Sequence, residues 1–471
     1  MKKRNQKKFQ KGNPMQYKGL SAIQGSLIVI EGVHNPVNGE IVTIEPDLRR
    51  NHHSKIGRVV RIDGDRAVIQ VFEGTHNMSL KNTTTHFTGK PLQLRLSPDI
   101  LGRIFDGLGR PIDSLGPVTP EYIRDINGSA INPVAREYPR SFIQTGISAI
   151  DGLMTLIRGQ KLPIFSGDGL PHNRIAAQIL RQSALGDIDE PFAIVFGAMG
   201  VQHDTAEYFR NTLTETAGMD RVTMFINVAK DPVVERIATP RAALTAAEYL
   251  AYDLGMHVLV ILTDMTAYAE ALRELSSSQG EIPSRKGYPG YLYSELSSIF
   301  ERAGIVRGKQ GSITQIPILS MPGDDITHPI PDLTGFITEG QIVLDRGLFQ
   351  KGIYPPIRVL PSLSRLMKDG IGDGYTRSDH PDLANQLFAS YARVEEVRAL
   401  TRVIGEDELN ETDQKFMQYG EAFESRFLNQ SEYDNRSVTE TLDLAWELLE
   451  ILPKSQLTRI RTEVLEKYGP R

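Results

Sequence analysis

The chain has 471 residues, 40% hydrophobic and 24% charged, with a formal net charge of −5 and no cysteine. That length exceeds one compact core and, at about 150 residues per domain, suggests roughly three domains. The lack of cysteine excludes disulfides, thiolate metal sites and cysteine nucleophiles and suits a cytoplasmic protein, while the mild acidity gives no whole-chain reason to expect a nucleic acid or an anionic membrane as partner.

Residues 1–20 read as a basic disordered tail. The first eighteen, MKKRNQKKFQKGNPMQYK, carry seven Lys or Arg and no acid, and they lack the apolar stretch of about 7 to 15 residues that a secretory signal needs. Residues 21–97 change to short alternating segments, SLIVIEGV, EIVTIEP, KIGRVVRIDGDRAVIQVFEGT and PLQLRL. This spacing predicts antiparallel strands, with Asp63-Gly64 as a hairpin turn, closing into a small β-barrel. His52 and His53 stand side by side in a polar loop. Neighbouring side chains on an extended chain point apart and no third ligand is near, so they are not read as a metal site.

Residues 98–378 carry near-continuous apolar runs, FAIVFGAMG (192–200), VTMFINVA (222–229), HVLVILTDM (257–265) and SITQIPILSM (312–321). Strands buried on both faces look like this, and helical patterns such as TPRAALTAAEYLAYDLG (239–255), with Pro near the start, lie between them. The alternation predicts a parallel α/β sheet, whose ligands sit beyond the carboxyl ends of its strands. None of these runs reaches the roughly 18 apolar residues of a membrane span. One stretch, KLPIFSGDGLPHNRIAAQIL (161–180), passes from strand through a glycine turn into a helix, as a phosphate-binding loop does. The residues that hold phosphate in G-x-x-x-x-G-K-[ST] are replaced by Ser166, Pro171, His172 and Asn173. Pro171 removes a backbone N–H, His172 is mostly neutral at pH 7, Asn173 offers an amide where a hydroxyl would serve, and Asp168 adds a negative charge.

Residues 379–471 read as a helical bundle, ANQLFASYARVEEVRALTRVI, DQKFMQYGEAFESRFLN, VTETLDLAWELLEIL and SQLTRIRTEVLEKY, with apolar residues three and four apart. The single Trp446 is read as a core anchor.

The order barrel, P-loop-like domain and bundle, together with GRIFDGLGRPID (102–113), INPVAREYPRSFIQTGISAIDGL (131–153), GYPGYLYSELSSIFERAG (287–304), HPIPDLTGFITEGQIVLDR (328–346) and LPSLSRLM (360–367), resembles the non-catalytic B subunit of the A-type and V-type rotary ATPases. The likeness covers the chain beyond its basic tail. It implies three such regulatory subunits alternating with three catalytic A subunits in a hexameric ring, linked to a central rotor shaft and a peripheral stalk. The ring would couple ATP synthesis or hydrolysis to proton or sodium transport as a cytoplasmic complex peripheral to the membrane. Contact with the membrane would run only through the ion-translocating sector, and no nucleic acid is expected.

The resemblance also assigns residues. Arg365 in LPSLSRLM matches the family's arginine finger, which acts in trans on the neighbour's ATP and Mg²⁺. Gly167, Gly169 and Asn173 are left as a weak or vestigial nucleotide site, with no cofactor tightly bound and no metal site. Ala198 falls where related catalytic subunits carry the glutamate that positions water. Asp264 matches the family's Mg²⁺-side acid but, without partners, reads as a relic or a helix cap. Tyr288 is expected to touch the partner, and Arg285, Arg302, Tyr291 and Tyr293 are of residue types enriched at interfaces. Two alternatives have other requirements. An ATPase in its own right would need the missing lysine and glutamate. A hexameric RNA-translocating motor of the transcription-terminator kind would need an intact P-loop and a basic, aromatic-rich barrel.

Overall fold

The structure, a computed structural model, describes residues 15–46, 54–186, 190–214 and 219–469. Residues 1–14 of the basic tail and the pair His52 and His53 lie outside the described residues. Seven N-terminal strands form one antiparallel sheet in the order Met15–Lys18, Thr84–Pro91, Glu40–Glu45, Lys55–Asp63, Arg66–Val71, Leu27–Ile30 and Ala22–Gln24. Alternation works as expected: Val42, Ile44, Val59, Ile69 and Phe87 point inward and give this barrel a hydrophobic core of its own.

Two local expectations are corrected here. Met15–Lys18, assigned to the disordered tail, is an edge strand paired with residues 84–87, and Tyr17 packs edge-on against Phe87 with ring centroids 5.3 Å apart. One aromatic anchor and the open edge of Thr84–Pro91 suffice to order four polar-looking residues. The hairpin turn is Gly64-Asp65, because Asp63 still pairs with Arg66, and Gly64 takes the positive φ of 64° that such a turn requires.

The central sheet runs in the order Ile357–Ser364, Gly340–Leu344, Ile164–Gly167, Ser312–Met321, His257–Thr263, Phe192–Val201, Val222–Val228 and Ile104–Asp106. Along this path all neighbours are parallel except the outermost pair, Gly340–Leu344 and Ile357–Ser364, and off it Gly304–Val306 pairs antiparallel with both Ser312–Met321 and Arg136–Glu137. The four apolar runs of the sequence are strands of this sheet, buried along nearly their whole length. The helix expected from residue 239 begins earlier, at Val233, and runs to Tyr252 with Pro240 inside it. Its VVERIA start continues the apolar face, and burial between the sheet and neighbouring helices outweighs the one hydrogen bond that Pro240 cannot make.

The C-terminal helices are His380–Ile404, Glu411–Ala422 with a π-helical extension Phe423–Leu428, Val438–Leu449 and Thr462–Tyr468. Their apolar faces merge with one face of the central sheet into a single core. Trp446 is buried in it, its indole N–H donating to Asp379 at 2.7 Å. The last expected helix is shorter than its pattern. Leu457 and Ile460 are buried by a loop, because the Arg461 backbone and guanidinium are drawn to the Asp382 carboxylate.

Candidate functional site

The glycine turn lies at the carboxyl end of Ile164–Gly167, a strand flanked by Ser312–Met321 and Gly340–Leu344, and it leads into the helix His172–Gln182. Gly167 ends that strand, Gly169 lies in the turn and Asn173 in the first turn of the helix. Two amides of the loop fold back on it: Leu170 N–H donates to Gly167 O at 3.2 Å and His172 N–H to Leu170 O at 2.9 Å. Ser166 Oγ and His172 Nδ1 are 3.0 Å apart. Burial lowers the His172 pKa, against the pull of the Asp264 and Asp168 carboxylates, so the residue standing where a P-loop has lysine is uncharged at neutral pH.

Two residues that sequence reasoning missed complete this loop. Arg346, just after Gly340–Leu344, holds Asp324 through Nε and Nη2 at 2.8 and 2.9 Å and also donates from Nη2 to Asp168 O at 2.9 Å. Asp324 lies so close to Gly167 that a Cβ built there would be 1.9 Å from its Oδ1. Gly167 therefore serves the approach of a carboxylate. A polyphosphate would meet the negative charges of Asp324 and Asp168 and find the guanidinium engaged, so these residues do not fit a nucleotide. The available signal was positional: PGDD and LDR each end a strand adjacent to the loop strand.

Asp264 is the N-cap of the helix Met265–Ser278. It accepts from Thr266 N at 2.7 Å and Ser320 N at 3.1 Å, and from the Ser320 hydroxyl. Ala198 is corrected in position. The strand Phe192–Val201 extends beyond it, so Ala198 is a buried mid-strand residue, and the carboxyl end presents Met199, Gly200 and Val201, none of them acidic.

Arg365 is elsewhere. Ile357–Ser364 is the edge strand and runs antiparallel to its neighbour, so Ser364 pairs with Gly340 at the amino end of that strand. Arg365 follows immediately and lies at the opposite pole of the sheet from the Gly167 loop. Its backbone N–H donates to Glu339 O at 2.9 Å and its Nη1 reaches Thr338 O at 3.3 Å. Its side chain is exposed, and among the described residues no carboxylate pairs with it.

The expected interface residues separate. Tyr288 is only 3% exposed, its ring against Arg273 and edge-on to His328 and its hydroxyl bonded to Glu270, so the ring is directed into this chain. Arg302 is wholly buried. Both follow from the turn and helix that tuck this segment into the core. Arg285, Tyr291 and Tyr293 are exposed. Among the described residues no group of three or more His, Asp or Glu is arranged to hold a metal ion.

Residues 146–364 match the ATP synthase alpha/beta family nucleotide-binding domain, residues 20–89 its beta-barrel domain, and residues 369–469 the C-terminal domain of V and A type ATP synthase. The chain is 62% identical over 455 residues to "V-type ATP synthase beta chain 2" of Clostridium tetani, covering 96% of this chain and 98% of that one. The chain belongs to the V-type ATP synthase beta chain family. The V-type ATP synthase beta chains of Halothermothrix orenii and Thermotoga neapolitana are each 59% identical to it, covering 96% of this chain and 97% and 98% of theirs. A solved ATP synthase subunit, NeqB from Nanoarcheaum equitans, superposes with a TM-score of 0.72 at 40% identity, covering 90% of this chain and 98% of that one. The chain is a subunit of a V/A-type ATPase with the three-part fold its sequence implied, and the RNA-translocating alternative is not favoured.

Proposed function

We propose that this chain is the non-catalytic, regulatory and structural subunit of a V/A-type rotary ATPase headpiece. It alternates with catalytic A subunits in a hexameric ring and donates Arg365 to the neighbour's ATP site. The observation that carries this reading is the exposed Arg365 guanidinium on the edge of the central sheet, without a carboxylate partner among the described residues and at the far pole from the chain's own loop. Placed there it is free to serve a nucleotide held by another chain. ATP with Mg²⁺ supplies a transferring phosphoryl group whose negative charge grows on its oxygens, and an arginine inserted from outside is worth about 10³ to 10⁵ in rate. Supporting the non-catalytic role, this chain's loop has no lysine, its histidine is held neutral, and no acid stands at the end of Phe192–Val201.

The complex would couple ATP synthesis or hydrolysis to proton or sodium transport, with this subunit on the cytoplasmic side and peripheral to the membrane. Among the described residues no helix is long and apolar enough to cross a membrane. The test is ATP turnover by the lone chain, by its mixture with the catalytic subunit, and by the mixture carrying Arg365→Ala, with ring assembly followed by size. An inert lone chain and a loss of about 10³ in an assembled Arg365→Ala ring are expected. Unchanged turnover in that ring would remove the finger role, and turnover by the lone chain would remove the non-catalytic one.

A further inference from the structure

The Gly167 loop is missing more than its lysine. At its mouth stands a carboxylate paired with a guanidinium. Arg346 grips both oxygens of Asp324 and, through the same Nη2, the carbonyl of Asp168 in the loop itself. Gly167 admits the carboxylate, since any side chain there would collide with Oδ1. Asp324 sits in a short turn, Pro322–Asp324, that directly continues the strand Ser312–Met321 beside the loop strand, and Gly323 gives that turn its positive φ of 65°. The next residue, Asp325, is tied separately to Lys286 at 3.0 Å. The turn is therefore anchored from both sides and presents Asp324 toward the loop.

We propose that the Asp324–Arg346 pair is an autoinhibitory latch on the degenerate loop. It engages a guanidinium that already touches the loop and sets a carboxylate where a phosphate would lie, so that releasing it lets the loop take the phosphates of a nucleoside diphosphate or pyrophosphate. This rests on the reading that the loop is not a working nucleotide site, and it assigns a cause to that state within the chain.

The chemistry is that of competition between two anions for one guanidinium. Carboxylate and phosphate both accept the paired N–H groups of arginine, and the tethered one has the higher effective concentration. The Arg346 hydrogen bonds hold the Asp324 carboxyl below its ordinary range, so the latch is charged throughout the neutral range. Both side chains are also roughly two-fifths exposed. A pair in that setting is weak enough for a single substitution to undo, without a buried charge being left behind. Replacing Asp324 by a neutral residue changes the charge at the loop mouth by one unit and frees the guanidinium.

The experiment is calorimetric titration of the full-length chain, alone, with MgADP and separately with inorganic pyrophosphate. Wild type, Asp324→Asn, Asp324→Ala and the double variant Asp324→Asn with Arg346→Gln are compared, and thermal unfolding confirms that each is folded. Either single variant is expected to bind at least about tenfold more tightly than wild type, and the double variant is expected to fall back to wild-type affinity. Single variants that bind no more tightly than wild type, or a double variant as tight as the single ones, would overturn the latch. A loss of the Arg365 effect in the assembled ring leaves this result untouched, so the two readings fail separately.

Discussion

Arg302 and Glu248 form a two-pronged ion pair in the interior, Nε and Nη2 of the guanidinium donating to the two carboxylate oxygens at 2.6 and 2.8 Å. The other donors reach Ile126 O at 3.0 Å and Thr245 Oγ1 at 2.8 Å, so one side chain ties the segment around Ile126 to the helix Val233–Tyr252. Gly128, at a φ of 57°, makes the room: a Cβ there would lie 2.4 Å from the guanidinium carbon. Arg302→Met removes one partner and leaves the carboxylate and several acceptors unpaired, which costs about 3 to 5 kcal/mol. Denaturant unfolding should show that loss, and pairing the change with Glu248→Met should recover part of it. A loss below about 1 kcal/mol would mean the pair is not structural.

Glu235 gives a pH dependence that can be isolated. Burial, then the Asp106 and Asp231 carboxylates, push its pKa up to about 7 against the help of Arg110 and the Gly107 N–H. The unfolded chain releases this proton near 4.5 while the folded chain keeps it. The contribution is therefore complete below pH 4.5 and is lost as pH rises through about 7. Glu235→Gln removes that slope. Relative to wild type it should gain about 2 kcal/mol between pH 4.5 and 8, after allowance for solvent screening. Parallel stability–pH curves for the two proteins would show that the carboxyl ionises normally.

His380 acts in the opposite sense over much of the same range. It is wholly buried, Nε2 at 3.1 Å from Gly152 O and Nδ1 at 3.1 Å from Thr376 Oγ1, and burial lowers its pKa to about 4. The unfolded imidazole protonates near 6.5, so stability held above that pH is lost as pH falls toward 4, by about 3 kcal/mol. In wild type this loss on acidification is masked in part by the gain from Glu235. Acid unfolding of Glu235→Gln should therefore begin at higher pH than in wild type, and of His380→Gln at lower pH, measured from each protein's own stability at pH 7. Identical midpoints for all three would contradict both assignments.

Residue type and local pattern go a long way in this chain and stop at identifiable places. Ser312–Met321 was legible to the residue because a strand buried on both faces needs an unbroken apolar run, and few other structures do. Arg302 and Arg365 show the limit. Each is an arginine beside apolar sequence, yet one is sealed in the core by Glu248 and the other is exposed at a sheet edge. What separates them is a partner 54 residues away, which no local window contains. Tyr288, expected to touch the partner subunit, shows the same limit, since Glu270, which its hydroxyl meets within this chain, lies 18 residues back. The replaced P-loop positions could be read directly, whereas Asp324 and Arg346 could not. Their contact exists only because the strands before them flank Ile164–Gly167. In the sequence the finger role of Arg365 rests on family resemblance, and its place at the pole opposite the loop emerges only from strand direction.

Asp264 separates a structural from a metal-binding reading of an acid at the strand ends. Its Oδ1 takes the N–H groups of Thr266 and Ser320, and its Oδ2 takes the Ser320 hydroxyl. One carboxylate thus caps the helix Met265–Ser278 and pins the end of Ser312–Met321 beside it. Losing a cap costs about 1 kcal/mol, and leaving a partly buried strand-end donor unpaired costs about 1 to 2 more, so Asp264→Ala should lose roughly 2 to 3 kcal/mol in thermal or denaturant unfolding. Asp264→Asn keeps an oxygen for the cap and should lose less than half of that. A carboxylate whose lone pairs are already directed at protein donors gains little from Mg²⁺, which binds oxygen ligands only by displacing what they already hold. Millimolar Mg²⁺ should therefore shift the unfolding temperatures of wild type and Asp264→Asn equally. A rise confined to wild type would mean that the acid holds the ion and that the cap is secondary.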